Sequence, residues 1–138
     1  MSDKLIQLKV ITPTRMFFEG EVKSFIVKTK GEVGEFAVLA DHAPLTSSVG
    51  LGTLVLEMPD GSQKVTSLFG GYAVVQNNQA VIIAESAEWP DEIDSERAAR
   101  SKERAEERLK REQIDVARAR ASLTRALVRL ALADRLKK

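Results

Sequence analysis

After Pro90 the chain runs for 48 residues without a glycine or a further proline. A stretch of that length, rich in Ala, Arg, Glu and Leu, is committed to helix. Asp94 or Ser95 is placed to cap its start, and Glu96 in the first turn meets the positive end of the helix dipole. Unbroken from residue 95 to 138, such a helix would reach roughly 66 Å at ~1.5 Å per residue, longer than a small domain is wide, so it must fold back or reach out. The first half offers a thin apolar stripe of Ala98, Ala105 and Leu109, and the second a fuller one of Val116, Ala119, Leu123, Leu127 and Leu130. Asp115 can cap a second helix, and a turn near 111–114 would bring the stripes together. Alanine-rich seams hide little area at ~25 cal/mol per Å², so the folded-back form is marginal. The turn contains no helix-breaking residue, so the extended form is equally permitted.

The chain before Pro90 follows a different grammar. From Leu5 to Ala84 apolar residues alternate with polar ones and turn residues recur every several positions, which predicts short half-buried strands. Ile6, Leu8 and Val10 share one face; residues 22–29 (VKSFIVKT) read as one strand stopped by Gly31. Two hairpins are expected, one around Pro59-Asp60-Gly61-Ser62 and one around Gln76-Asn77-Asn78-Gln79. So many short strands predict an all-β antiparallel sandwich or flattened barrel. The expected organisation is a β domain over residues 1–88 and an α-helical domain over residues 89–138.

Composition removes several kinds of chemistry. The absence of cysteine excludes disulfides, thiolate catalysis and sulfur-ligated metals, and a single histidine, His42, cannot build a histidine metal cluster within one chain. No stretch approaches the ~18 to 20 apolar residues that span a bilayer, and the first residues lack a signal-peptide pattern, so a cytoplasmic location is expected. Residues 1–90 carry seven Lys/Arg against ten Asp/Glu, residues 91–115 seven against nine, and residues 116–138 seven against Asp134 alone. The last helix is therefore a cationic rod.

Four local constellations invite a functional reading. The segment from Gly34 to Leu45 reads as a loop folded against the core; catalysis there would need Asp41 or Glu35 to orient His42 beside Thr46 or Ser47, a convergence that sequence neighbours rarely achieve. Gly70-Gly71-Tyr72 lacks the helix that would make it a phosphate turn, and it is better explained by close strand packing or a bulge. Arg125 and Arg129, four apart on one helical face, can grip one carboxylate or phosphate, although on so basic a helix such a pair also arises as a solvated face. The basic helix also raises nucleic-acid binding, against which stand its leucine stripe, the acidic preceding helix and the lack of an aromatic platform for bases.

In this order and spacing the segments resemble the epsilon subunit family of bacterial F-type ATP synthases. Gly34, Glu35, Leu39, His42, Ala43, Pro44 and Leu45 match the family's Gly-Glu-(Leu/Phe)-Gly-Ile-Leu-Pro-Gly-His-Ala-Pro-Leu loop at identical length. Gly70-Gly71-Tyr72 matches a Gly-Gly-aromatic strand entry, and Ile93 to Ala98 matches an Ile-Asp-x-x-Arg-Ala motif. The resemblance implies a sandwich of about ten antiparallel strands followed by a two-helix hairpin that can extend. It implies a non-catalytic central-stalk rotor subunit of a proton-translocating F-type ATP synthase, a peripheral membrane protein at the cytoplasmic face. Its partners would be the gamma subunit, the loops of the membrane c-ring and, through the C-terminal helices, the beta subunits; nucleic acid is not among them, and the isolated chain is expected to be monomeric. The helices would inhibit ATP hydrolysis. Glu35, His42, Arg118, Arg125 and Arg129 are the partner contacts the resemblance suggests. No cofactor is required, but ATP is a possible regulatory ligand, held by Ile93, Asp94, Arg97, Ala98, Arg125 and Arg129. The readings outside the family are a free-standing nucleotide sensor and a nucleic-acid-binding helical protein. Departures from the family pattern are Ala37 in place of Gly and Ala40-Asp41 in place of Pro-Gly, which is expected to alter the loop facing the ring.

Overall fold

The computed structural model describes residues 4–30, 34–111 and 115–136. The chain forms two compact units, Met1–Ala87 and Glu88–Lys138.

Among the described residues the first unit contains seven strands: β1 (Ile6–Thr12), β2 (Arg15–Val22), β3 (Ser24–Thr29), β4 (Glu35–Leu39), β5 (Leu45–Glu57), β6 (Gln63–Gln76) and β7 (Gln79–Glu88). They hydrogen-bond in the order β2-β1-β7-β6-β5-β3-β4. The alternation in β1 holds, with Ile6, Leu8 and Val10 buried alongside Phe25, Val27, Leu54, Leu56, Leu68 and Ile82. Both expected hairpins are present: β5 ends at Glu57 and β6 begins at Gln63, while β6 and β7 are joined through Asn77 and Asn78, both left-handed at φ 54° and 59°.

The strand count and direction differ from the expectation of about ten antiparallel strands. Seven suffice because β5 and β6, 13 and 14 residues long, run through the corner of the fold without ending. Their register is continuous from Leu45↔Val75 to Glu57↔Gln63, with no paired residues between Ser48↔Tyr72 and Leu51↔Phe69. On β6 every position from Thr66 to Phe69 is buried before Gly70-Gly71, and after them buried Ala73 and Val75 alternate with exposed neighbours. The burial pattern of β6 thus passes from covered on both faces to covered on one, and a single seven-stranded sheet supplies the core. β1 and β7 pair in parallel, Gln7↔Gln79 through Ile11↔Ile83, so the sheet is not purely antiparallel.

Two further segments depart from expectation. Residues 22–29 are not one strand: Val22 closes β2, and β3 begins at Ser24 in a different pairing, because the Lys23 N–H donates to the Glu57 carbonyl at 2.8 Å. The segment from Gly34 to Leu45 is only partly a loop. Glu35–Leu39 is an edge strand on β3 with Val38 buried, as its alternation allows. The expected stop at Gly31 lies outside the described residues.

Asp41 shows how the loop accommodates a residue where the family pattern has glycine. Its φ is 66°, a left-handed conformation in which aspartate is tolerated more readily than most residues. Asn78 holds it there, accepting from the Asp41 N–H at 2.6 Å and donating through Nδ2 to Oδ1 at 3.1 Å. Lys4 Nζ adds an ion pair at 3.1 Å. The Asn78 amide first, and then Lys4, hold the Asp41 carboxyl below the ordinary aspartate range. A depressed folded-state value means that this contribution to stability is present above the unfolded pKa and fades as pH falls through the folded one. In Asn78→Ala the carboxyl titration midpoint, followed by NMR, is expected to move up toward the ordinary value; an unmoved midpoint would show that Asn78 is not the main cause.

The second unit opens with a single 3-10 turn, Pro90–Glu92, followed by α1 (Ser95–Leu109) and α2 (Val116–Leu136). Asp94 Oδ1 accepts from the Arg97 N–H at 3.0 Å and Asp115 Oδ1 from the Arg118 N–H at 3.1 Å, so each helix has an aspartate cap. The helices pack on one another. The buried residues include Ala98 and Ala105 on α1 and Ala119, Ala126 and Ala133 on α2, an alanine every seventh position. Small side chains at that spacing let two helices lie close while burying little area. Two positions of the expected α2 stripe are corrected: Val116 is 45% and Leu127 46% exposed. The buried α2 residues are instead Ala119, Ala126, Leu132 and Ala133, because the alanines set the contact line and Val116 and Leu127 fall outside it. Of the expected turn, residues 112–114 lie outside the described residues.

Candidate functional site

The cap of α1 organises a polar concavity of the helical unit. The Trp89 N–H donates to Glu92 Oε1 at 2.9 Å and the Glu92 N–H to the Trp89 carbonyl at 2.9 Å, which closes the 3-10 turn just ahead of the helix. The Asp94 cap then fixes the first turn of α1, from which Arg97 projects. α2 packs against the Pro90–Glu92 turn and brings Arg129 to the same place. The result is a pocket of about 250 Å³ lined by Glu88, Glu92, Asp94, Arg97, Ala98, Ser101 and Arg129. Arg129 Nε donates to Glu88 Oε1 at 2.6 Å, a charge-assisted bond between side chains 29% and 28% exposed.

Of the six residues expected to hold a nucleotide, Asp94, Arg97, Ala98 and Arg129 line this pocket, while Ile93 and Arg125 are not among its lining. Asp94 spends one carboxylate oxygen on the helix cap. Glu88 was not apparent from sequence as a member of the site. Its partner lies 41 residues away, a separation at which no local spacing gives a signal.

Of the expected partner contacts, Glu35 and His42 belong to the first unit and Arg118, Arg125 and Arg129 to the second. Glu35 is exposed at the start of β4 and Arg118 is exposed in the first turn of α2. The His42 N–H donates to the Leu39 carbonyl at 3.2 Å, and its ring Nδ1 lies 2.6 Å from the Ala43 carbonyl. A carbonyl only accepts, so in this contact Nδ1 is the donor. Gly70-Gly71 is a close-packing site: a Cβ on Gly71 would stand 1.8 Å from the Ile83 carbonyl oxygen, and one on Gly70 3.0 Å from the Glu85 carboxyl carbon. The reading as strand packing rather than a phosphate turn therefore holds. The outer face of the sheet was not anticipated. Met16 on β2, Ile83 on β7, and Tyr72 and Val74 on β6 are each more than two-fifths exposed, and Ile11 pairs with both Met16 and Ile83. The signal was present in the alternation of Tyr72 and Val74 with buried Ala73 and Val75.

Together these features define a small two-unit protein with a β-sandwich head and an arginine-bearing helical hairpin. The chain belongs to the ATP synthase delta/epsilon chain family: residues 5–90 match its beta-sandwich domain and residues 91–134 its long alpha-helix domain. It is 42% identical over 136 residues to the ATP synthase epsilon chain of Caldanaerobacter subterraneus subsp. tengcongensis, covering 96% of each chain. It is 41% identical over 109 residues to the sodium-ion-specific epsilon chain of Acetobacterium woodii, covering 79% of this chain and 80% of that one. In fold it is similar to a chain of the Euglena gracilis mitochondrial ATP synthase assembly of OSCP, F1 and c-ring, with a TM-score of 0.76 at 22% identity, covering 94% of this chain and 81% of that chain.

Proposed function

We propose that the chain is the non-catalytic epsilon subunit of an F-type ATP synthase, carried on the central-stalk rotor between gamma and the membrane ring. The observation that carries this reading is the match of both family domains, in order, across nearly the whole chain. The sandwich offers a docking surface of fitting character in the exposed apolar residues Met16, Ile83, Tyr72 and Val74, since exposed apolar side chains mark protein contacts where they gather. Gamma is the partner assigned to it, and the loop bearing Glu35 and His42 is assigned to the c-ring. No described helix is long and apolar enough to cross a membrane, and the subunit is proposed to sit peripherally at the cytoplasmic face. Co-purification of the chain with gamma tests the assignment. Failure to bind gamma, with retardation of DNA that weakens steeply in salt, would favour the nucleic-acid reading instead.

The helical unit is the proposed inhibitor. Its alanine seam makes the packed hairpin a state of modest stability, and its arginine-rich second helix, including Arg118, Arg125 and Arg129, suits acidic surfaces on the beta subunits. ATP is the proposed regulatory ligand at the pocket of Arg97 and Arg129, where its binding would favour the packed hairpin. Calorimetry on the isolated chain is expected to show ATP binding that Arg97→Ala and Arg129→Ala each weaken by about tenfold or more, the worth of a charge-assisted hydrogen bond. Arg125→Ala is expected to have the smallest effect of the three. Absence of heat at millimolar ATP rejects the nucleotide site and leaves the rotor assignment standing.

A further inference from the structure

We propose that Glu88 and Arg129 form a latch that keeps the helical hairpin packed with no ligand bound. The bond between them, at 2.6 Å, joins the segment before α1 to the middle of α2, so α2 cannot leave α1 and the Pro90–Glu92 turn while it persists. An exposed ion pair would contribute almost nothing, but here both side chains are more than two-thirds covered, which reduces screening by solvent and salt. The surrounding seam strengthens the case. With Ala98, Ala105, Ala119 and Ala126 among its buried residues, the interface between the helices gains little from apolar area, and one covered ion pair carries a large share of closure.

The charge around the pocket points the same way. Glu88, Glu92 and Asp94 line the pocket together with Arg97 and Arg129, three carboxylates beside two guanidinium groups, so the local charge is balanced from within the chain. Glu88 does for Arg129 what a bound anion would otherwise do. The packed hairpin is therefore a resting state of the protein rather than a product of ligand binding, and the latch sets how readily α2 is released.

Amide hydrogen exchange on the full chain, without nucleotide and without other subunits, tests this directly. Glu88→Gln and Arg129→Glu are each expected to speed exchange of α2 amides by about tenfold, while amides of β1 and β7 stay at the wild-type rate. The exchanged pair, Glu88→Arg with Arg129→Glu, is expected to restore α2 protection to within about threefold of wild type, which a loss of packing alone would not allow. A Glu88→Gln chain that exchanges like wild type, or a double variant no better protected than the single ones, would overturn the proposal. Neither outcome involves ATP or gamma, so the latch can fail without touching the assignment of function, and the reverse.

Discussion

Gly71→Ala is expected to cost the sandwich about 3 kcal/mol or more, enough to leave a marginal domain largely unfolded. Two penalties combine at this position. The backbone sits at φ +117°, where an L side chain is strained, and the added Cβ would lie 1.8 Å from the Ile83 carbonyl oxygen and 2.9 Å from the Ala84 Cα. Backbone atoms of a paired strand cannot step aside as the end of a flexible side chain can. Gly61 separates the two effects, since its φ is +88° and nothing stands within 4 Å of the Cβ it would gain. Gly61→Ala should cost only the conformational part, about 1–2 kcal/mol. Urea denaturation of both variants, read from midpoints at constant m-value, measures the difference. Equal losses would mean that the approach of β6 to β7 is not what demands glycine.

Deleting residues 91–138 is expected to leave a sandwich that folds and still joins gamma, while ATP hydrolysis by the assembled complex rises several-fold. The first unit supports this, since Ile6, Leu8, Phe25, Leu54, Leu68 and Ile82 form a core supplied from within Met1–Ala87. The proposed inhibitory surface lies entirely in the helices, so their removal separates the two roles. Unchanged hydrolysis in a complex that retains the truncated chain would end the inhibitory reading and spare the rotor one. Loss of the chain from the complex would place part of the gamma contact in the helices.

Much of the architecture was legible because local chemistry dictates it. Ile6, Leu8 and Val10 alternate, Asp94 and Asp115 precede helices, and Asn77-Asn78 accepts left-handed geometry; each choice is made by neighbours in sequence. What escaped depends on distant partners. Whether Gly70-Gly71 ends a strand or bends it is decided by the pairing of β5 with β6, and both strands continue through the corner. The parallel pairing of Gln7 with Gln79 unites residues for which no spacing rule exists. In α2 the helix period allowed Val116 and Leu127 to face inward, but the partner helix selected the line of Ala119 and Ala126. The site divides the same way. Arg97 and the Asp94 cap followed from a local motif, whereas Glu88 became a partner of Arg129 only through the packing of α2.

The parallel ladder between β1 and β7 also bears on how the protein comes to be made. The first strand has only β2 as a neighbour until Gln79 to Ile83 have been synthesised. Loop closure over that span is slow compared with hairpin formation, and the head cannot complete its sheet on a shorter nascent chain. Assembly of the head is thus a cooperative event that waits on its last strand.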